Sequence, residues 1–347
     1  MSRLHLIATA VKHGRGGIST ALVGFTETAV LKQQGLNIIE SHVAGGRWAA
    51  YRQAAARIQA EVQAGDVVWL HCARWLSMLR KLMLARIARK RGAKVYFHFH
   101  SMVTEHYMQH WLGRRLLKRM IKAATGIVVV SDWWKQRFVD VLKVPAAQIF
   151  VCPNPLDQSF QNRAPRETLV HADADDPVQL LAMTRLVPGK GVAETIAALA
   201  ALPTRFHLKV AGEGPLESAL REQVKQLGLQ DRVEFLGWID YDKKLDVLQG
   251  TDIFCLPSQF DSFGMGFIEA MALGIPVVAF NGGPTASVVP HKACGYLVDS
   301  LSPAAIAAAV QHCVTHYTEY ASAAYQHTQS NFSAEVIAQR WVQFYSK

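Results

Sequence analysis

Two carboxylates stand eight residues apart in a stretch that carries almost no other charge. Asp261 and Glu269 lie in SQFDSFGMGFIEAMALGIPVVAF (258–280), and apart from Glu269 no Asp, Glu, Lys or Arg occurs from Ser262 to His291. The stretch reads as an apolar helix running into an apolar strand, where a charge is costly unless something pairs with it. A second group is cationic. Arg185 and Lys190 flank a Pro-Gly turn in AMTRLVPGKGV (182–192), right after a strand-like run. Two cations so placed suit a diphosphate, one as a planar fork and one as a point charge, although solvated surface charges would look the same. A third group is imidazole. His98 and His100 in VYFHFHS (95–101) are two apart at a strand end and so share a face, with His106 and His110 following at helical spacing. His100 reads either as a satisfied core histidine or as a polar group at the C-terminal mouth of a sheet, where open α/β sheets bind ligands. No Asp, Glu or Cys set at ligand spacing accompanies these histidines, so no metal site is expected.

Glycine turns recur at the ends of strand-like runs. KHGRGGIST (12–20) follows the first of them and opens a helix; Gly14, Gly16 and Gly17 let backbone approach a ligand, and a helix start favours an anion. The spacing is neither GxxxxGK[ST] nor GxGxxG, so a ligand loop and a tight structural turn both remain open. Gly212 in VAGEGPLESAL (210–220), FLGW (235–238) and NGGP (281–284) repeat the pattern. Glycine turns gathered at several strand ends of one sheet are what a nucleotide site requires.

The elements that must hold these groups alternate. Runs 4–9, 36–43, 67–72, 94–100, 126–131 and 149–154 are apolar, rich in β-branched and aromatic residues, and mostly separated by helix-like segments. Runs 178–183, 205–212, 233–238, 252–258 and 276–280 repeat this in the second half. Alternation of this kind predicts βαβ units and parallel sheets covered on both faces, an α/β fold. At 347 residues the chain exceeds one ordinary core, so two doubly wound domains are expected, residues 1–160 and 161–331. The polar, proline-punctuated stretch 155–177 reads as the boundary. The amphipathic segment 332–347 ends the chain.

Charge separates the halves. Residues 1–160 carry 23 Lys and Arg against 8 Asp and Glu, whereas 161–347 carry 14 against 19. The basic half should meet something anionic. Segments 74–94 and 107–123 read as basic helices with Trp, Leu and Met on the other face. They are ordinary amphipathic surface helices or candidates for resting on an anionic membrane surface. No nucleic-acid motif accompanies the charge, so no nucleic-acid partner is expected. No apolar run reaches membrane-spanning length. MSRLHLIATAV reads as a first strand rather than a leader, and five scattered cysteines read as reduced core thiols, which together suggest the cytoplasm.

In order along the chain, GGIST, VVVSDWWKQRF, VCPNPLD, TRLVPGKGV, VAGEGPLESAL, VEFLGWI and LPSQFDSFGMGFIEAMALGIPVVA make the sequence similar to the group 1 family of retaining nucleotide-sugar glycosyltransferases of GT-B fold. The last stretch resembles that family's Glu-x7-Glu signature. The resemblance implies two Rossmann-like domains facing a central cleft, the acceptor mostly in the first and the donor in the second, with the final helix returning to the first domain. It implies that Arg185 and Lys190 hold the donor diphosphate and that Glu269 bonds the ribose hydroxyls. Asp261 and His100 would face the transferred sugar. Backbone around Phe263, Gly264, Met265 and Gly266 would meet the donor at a helix start, with Gly212 nearby and Gly16 and Gly17 approaching from the other domain. Two positions depart from the pattern: Asp261 replaces the usual Glu, and Ala286 stands where the family often has Glu. The implied reaction moves a sugar from a UDP- or GDP-sugar, with no cofactor and no metal, to a lipid-linked or anionic glycan acceptor in bacterial surface polysaccharide or lipopolysaccharide synthesis. Asp173-x-Asp175, the nearest approach to a metal-binding acidic pair, falls in the boundary stretch. The implied location is cytoplasmic, peripheral on the inner face of the plasma membrane. A nucleotide-sugar epimerase or hydrolase of the same fold, or a non-catalytic binding protein, are the rival readings.

Overall fold

The structure, a computed structural model, describes residues 2–8, 17–41, 47–161, 163–165 and 176–347. Gly14, Gly16, Asp173 and Asp175 therefore lie outside the described residues. The chain divides into two compact units, Met1–Gln158 with Phe332–Lys347, and Ser159–Asn331.

Unit 1 runs β1 (Leu4–Ala8), α1 (Gly17–Glu27), α2 (Ala29–Gln33), β2 (Asn37–Glu40), α3 (Arg47–Glu61), β3 (Val67–Cys72), α4 (Trp75–Lys90), β4 (Lys94–Phe99), α5 (Val103–Gln109), α6 (Trp111–Ala123), β5 (Gly126–Val129), α7 (Asp132–Leu142) and β6 (Ile149–Val151). Unit 2 runs β7 (Val178–Met183), α8 (Val192–Ala200), β8 (Phe206–Ala211), α9 (Glu217–Gln226), β9 (Val233–Gly237), α10 (Tyr241–Gln249), β10 (Ile253–Leu256), α11 (Met265–Met271), β11 (Val277–Phe280), β12 (Gly295–Val298), α12 (Pro303–Thr315) and α13 (Tyr317–Phe332). The last helix, α14 (Ala334–Tyr345), belongs to unit 1.

Each unit holds a six-stranded, wholly parallel sheet, ordered β2-β1-β3-β4-β5-β6 and β12-β11-β10-β7-β8-β9. Helices on both faces explain why central strands are apolar throughout rather than alternating: every residue of VVWLHC in β3 is buried, whereas the edge strands β2 and β9 are only partly so. β12 escapes the sequence pattern because GYLV has one β-branched residue and opens on Gly295. A Cβ at Gly295 would sit 2.0 Å from the Val277 carbonyl oxygen.

α14 closes the core of unit 1. Trp341 is fully buried with Leu4, Leu6, Trp69 and Tyr96; its ring lies 4.8 Å from Trp69 and edge-on to Tyr96 at 5.1 Å. The Glu335 carboxylate accepts from the Ala29 N–H at 2.9 Å at the start of α2, and Lys94 Nζ donates to the Tyr345 carbonyl. No helix among the described residues is long and apolar enough to cross a membrane. All five cysteines are free and buried.

The basic helix 74–94 departs from a simple outward display of charge. Its Lys81 points inward, 1% exposed, and donates to Ser77 Oγ at 2.7 Å, one turn back. Heptad-like spacing cannot reveal this, since Lys81 sits among Met78, Leu82 and Ala85 on the buried face of α4. Burial pushes the Lys81 ammonium down to about 8 from 10.5. The folded value lies below the unfolded one, so at neutral pH both states hold the proton and the folded state bears the desolvation penalty. That penalty fades as pH rises from about 8 to 10.5. Lys81→Met should therefore raise stability at neutral pH by up to about 3 kcal/mol and remove the alkaline gain of the wild type. Urea unfolding on both sides of this window checks the sign.

Candidate functional site

In unit 2, β7 comes first in the chain; β8 and β9 are then added on one side and β10, β11 and β12 on the other. The loops leaving β7 and β10 therefore diverge at a topological switch point, where open α/β sheets present their ligand sites. The two loops carry the charged residues singled out from sequence. Lys190 Nζ, after β7, donates to Asp261 Oδ1 at 2.7 Å and to the Phe260 carbonyl at 2.9 Å, both after β10. Both side chains are mostly buried. Asp261 Oδ2 is buried without any hydrogen-bond partner. Arg185 stands exposed beside this pair in sequence, with no partner among the described residues.

Glycine makes the close approach. Gly191 has φ of 83°, and a Cβ there would meet the Pro257 backbone at 2.7 Å. Gly212 has φ of 135°, and a Cβ would fall 1.8 Å from the Thr184 carbonyl oxygen; its N–H donates to the Gly237 carbonyl, drawing the ends of β7, β8 and β9 together. Gly264, in the left-handed region, precedes α11, which Met265 and Gly266 open. The Phe263 side chain is core, 1% exposed.

Glu269 lies on α11 and is 1% exposed, deeper than a residue at an open mouth. Its Oε1 accepts from Lys244 Nζ of α10 at 2.7 Å. That pairing offsets the burial of charge in the apolar segment. Sequence reasoning missed Lys244, because DYDKKLD looks like any solvated turn of helix: a buried carboxylate demands a cation but does not say which. Removing Lys244 strands a buried charge. Lys244→Met should cost about 3 kcal/mol, with much of the loss restored by adding Glu269→Gln, measured by urea unfolding.

In unit 1, three imidazoles gather. β3 and β4 pair His71 with His98 in register, and His100 follows on the same face, its ring 3.9 Å from that of His98. All three are buried. His100 Nδ1 donates to Asn154 Oδ1 at 2.9 Å, which leaves Nε2 to accept from His71 Nδ1 at 2.8 Å. His98 Nε2 donates to the Cys152 carbonyl at 3.1 Å. Both His100 nitrogens are thus engaged within unit 1. The free ones are His71 Nε2 and His98 Nδ1, buried and without partners. The sequence reading missed His71 and Asn154; pairing VVWLHC (67–72) with KVYFHF (94–99) from their first residues sets His71 opposite His98. Gly17 begins α1, and Gly16 lies outside the described residues.

Burial pushes His71 and His98 well below the ordinary histidine value and His100 to about 3. The folded state thus refuses protons that the unfolded chain accepts below 6.5, so stability falls as pH drops through 6.5 toward the folded values. His71→Gln should flatten this acid loss by up to about 1.4 kcal/mol per pH unit, read from urea midpoints at mildly acid pH.

Comparison with known proteins follows the same division. A family model described as glycosyl transferases group 1 matches residues 167–329, and one described as Glycosyltransferase Family 4 matches residues 26–160. An uncharacterised glycosyltransferase of Methanocaldococcus jannaschii is 30% identical over 199 residues, covering 55% of this chain and 51% of its own. A GDP-mannose-dependent α-(1-6)-phosphatidylinositol monomannoside mannosyltransferase of Mycobacterium tuberculosis is 27% identical over 212 residues, 57% of this chain and 55% of its own. The chain thus spans about half the length of these curated relatives. Among solved structures, Anabaena HepE in complex with UDP superposes over 99% of both chains with a TM-score of 0.77 at 19% identity, a likeness of fold.

Proposed function

Since the chain belongs to the group 1 glycosyltransferases of GT-B fold, we propose that it transfers a sugar, with retention, from a UDP- or GDP-sugar held by unit 2 to a glycan acceptor held by unit 1. The observation that carries this reading is the junction of Lys190 and Asp261 at the switch point of the unit 2 sheet. Breaking a glycosyl–phosphate bond moves negative charge onto the leaving diphosphate while the sugar becomes oxocarbenium-like. Lys190 has three N–H donors and spends two on Asp261 and Phe260. The third, with the guanidinium of Arg185, which has no partner among the described residues, is available to the diphosphate. Cations held there before reaction stabilise the charge as it develops. Asp261 Oδ2 is a buried acceptor in want of a donor, which a sugar hydroxyl supplies. On Glu269, Lys244 occupies Oε1 and leaves Oε2 for the ribose hydroxyls. Metal has no part in this scheme, so turnover should persist with Mg2+ and Mn2+ withheld.

Arg185→Ala and Lys190→Ala should each lower kcat/KM for donor at least a hundredfold in a radiolabelled transfer assay, roughly 3 kcal/mol of transition-state binding. Near-normal transfer by both would end the phosphate reading. Anomeric NMR of the product tests retention, and donor conversion without acceptor would favour an epimerase or hydrolase.

The acceptor is proposed to be lipid-linked, as in bacterial surface polysaccharide assembly, with unit 1 resting on the cytoplasmic face of an anionic membrane. α6 supports this: Trp111 and Leu112 are exposed at its start, and Arg115, Lys118 and Lys122 are exposed along it, while Leu116, Leu117 and Met120 face the core. Acceptor chemistry of this kind appears in the name of the mycobacterial relative. Sedimentation with phosphatidylglycerol vesicles should be strong at low salt, weaken as salt rises, and drop on Trp111→Ser/Leu112→Ser.

A further inference from the structure

We propose that His71, His98 and His100 form a site in unit 1 for one borderline divalent transition metal, with zinc the first candidate. One nitrogen from each ring lies within 4.8 Å of the others. Two of the rings already have the outer bonding typical of a metal-bound histidine, in which the nitrogen turned away from the ion donates to a carbonyl or amide oxygen. His98 donates Nε2–H to the Cys152 carbonyl, leaving the Nδ1 lone pair bare. His100 donates Nδ1–H to Asn154 Oδ1, leaving Nε2 as a lone pair.

In the metal-free arrangement that second lone pair is met by the Nδ1–H of His71. His71 keeps a bare lone pair of its own at Nε2, buried and unpartnered. It can ligate through Nδ1, the nitrogen that already faces His100 Nε2, after its proton moves to Nε2, with no net release of a proton. A buried acceptor with no donor is costly, and an ion at the cluster answers the bare His98 Nδ1 while drawing on the lone pairs that His100 and His71 turn toward each other.

The donor set selects the ion. Three neutral imidazoles suit Zn2+, Co2+, Ni2+ or Cu2+, whereas Mg2+ and Ca2+ require oxygen ligands. The stacked indole of Trp69, 5.5 Å from His98, and the ring of Phe25 wall the cluster with apolar surface, which favours the coordinate bond over hydration. Three protein ligands leave one position of a tetrahedral ion open. The metal would tie the ends of β3 and β4 to the segment Cys152–Asn154 after β6. The donor-binding cations of unit 2 have no part in it, so the proposal stands independently of the function argued above. The rival occupant is a single water donating to both bare lone pairs.

The test uses the full chain expressed with zinc and passed through gel filtration, with metal measured by mass spectrometry. About one zinc per chain should remain, and X-ray absorption at the zinc edge should show scattering from three imidazoles. Growth with cobalt should yield the visible bands of a low-coordinate Co2+ centre. His98→Gln and His71→Gln should each reduce retained zinc more than tenfold. His312→Asn/His316→Asn, which removes the stacked i,i+4 pair on α12 and its C-cap, should leave it unchanged. Absence of retained metal in the wild type would show that water alone fills the site. Zinc lost with the His312 pair, or retained fully without His98 and His71, would likewise overturn the proposal. Should the cluster variants fail to fold, the imidazole count from wild-type X-ray absorption decides alone.

Discussion

An ammonium and a carboxylate 2.7 Å apart join the two loops of unit 2 that its topology drives apart. Lys190 and Asp261 leave neighbouring parallel strands on opposite sides of the switch point, and past the strand ends a backbone bond from the Gln259 N–H to the Gly189 carbonyl, at 2.9 Å, ties the same two loops. The pair is mostly but not wholly buried, so it is stronger than a surface ion pair and weaker than one sealed in a core. Such a contact positions both groups and can still exchange one partner for a ligand. The glycines on either side of Lys190 fit this junction: Gly189 and Gly191 adopt left-handed backbone that favours glycine, and a Cβ on either would also strike Phe260 or Pro257.

Unit 1 solves a different problem at the corresponding edge of its sheet. Here the groups brought together are neutral, and direction is set by tautomer rather than by charge. Asn154 can only accept through Oδ1, which fixes the proton of His100, and that in turn fixes the proton of His71. One amide thus orders two rings. The price is a pair of bare nitrogens in an apolar wall of Trp69 and Phe25, with Lys81 not far beneath, its own proton loosened by burial.

Much of this was legible beforehand, and the limits are physical. The parallel α/β pattern shows in apolar central strands such as β3 and β10, and the switch-point residues in strand-end cations and glycines. β12 was hidden because a four-residue strand opening on glycine carries no β-branched run. Lys244 was hidden because pairing across α10 and α11 is tertiary, and helical periodicity places a lysine on a face without naming its partner. Lys81 shows the converse: in a helix rich in cations, one turned inward looks like the rest. His71 was within reach, since pairing the strand-like runs 67–72 and 94–99 from their first residues sets it opposite His98, whereas the Asn154 contact joins residues 54 apart.

The substitution of Asp for Glu at position 261 acquires a physical meaning from these pairs. Within the described site, Lys190 is matched by Asp261 and Lys244 by Glu269, and Arg185 alone keeps an uncompensated charge. A diphosphate bound as proposed would meet one cation unpaired among the described residues and one already engaged. With one methylene fewer, Asp261 is drawn toward Lys190 and reaches less far toward a sugar, so its remaining oxygen recognises only a hydroxyl brought close to the lysine. In that reading the same shortening that damps Lys190 would narrow which sugar can answer Oδ2. Under the proposed function, phosphate affinity and sugar choice would be coupled through a single carboxylate, whose two oxygens face opposite demands.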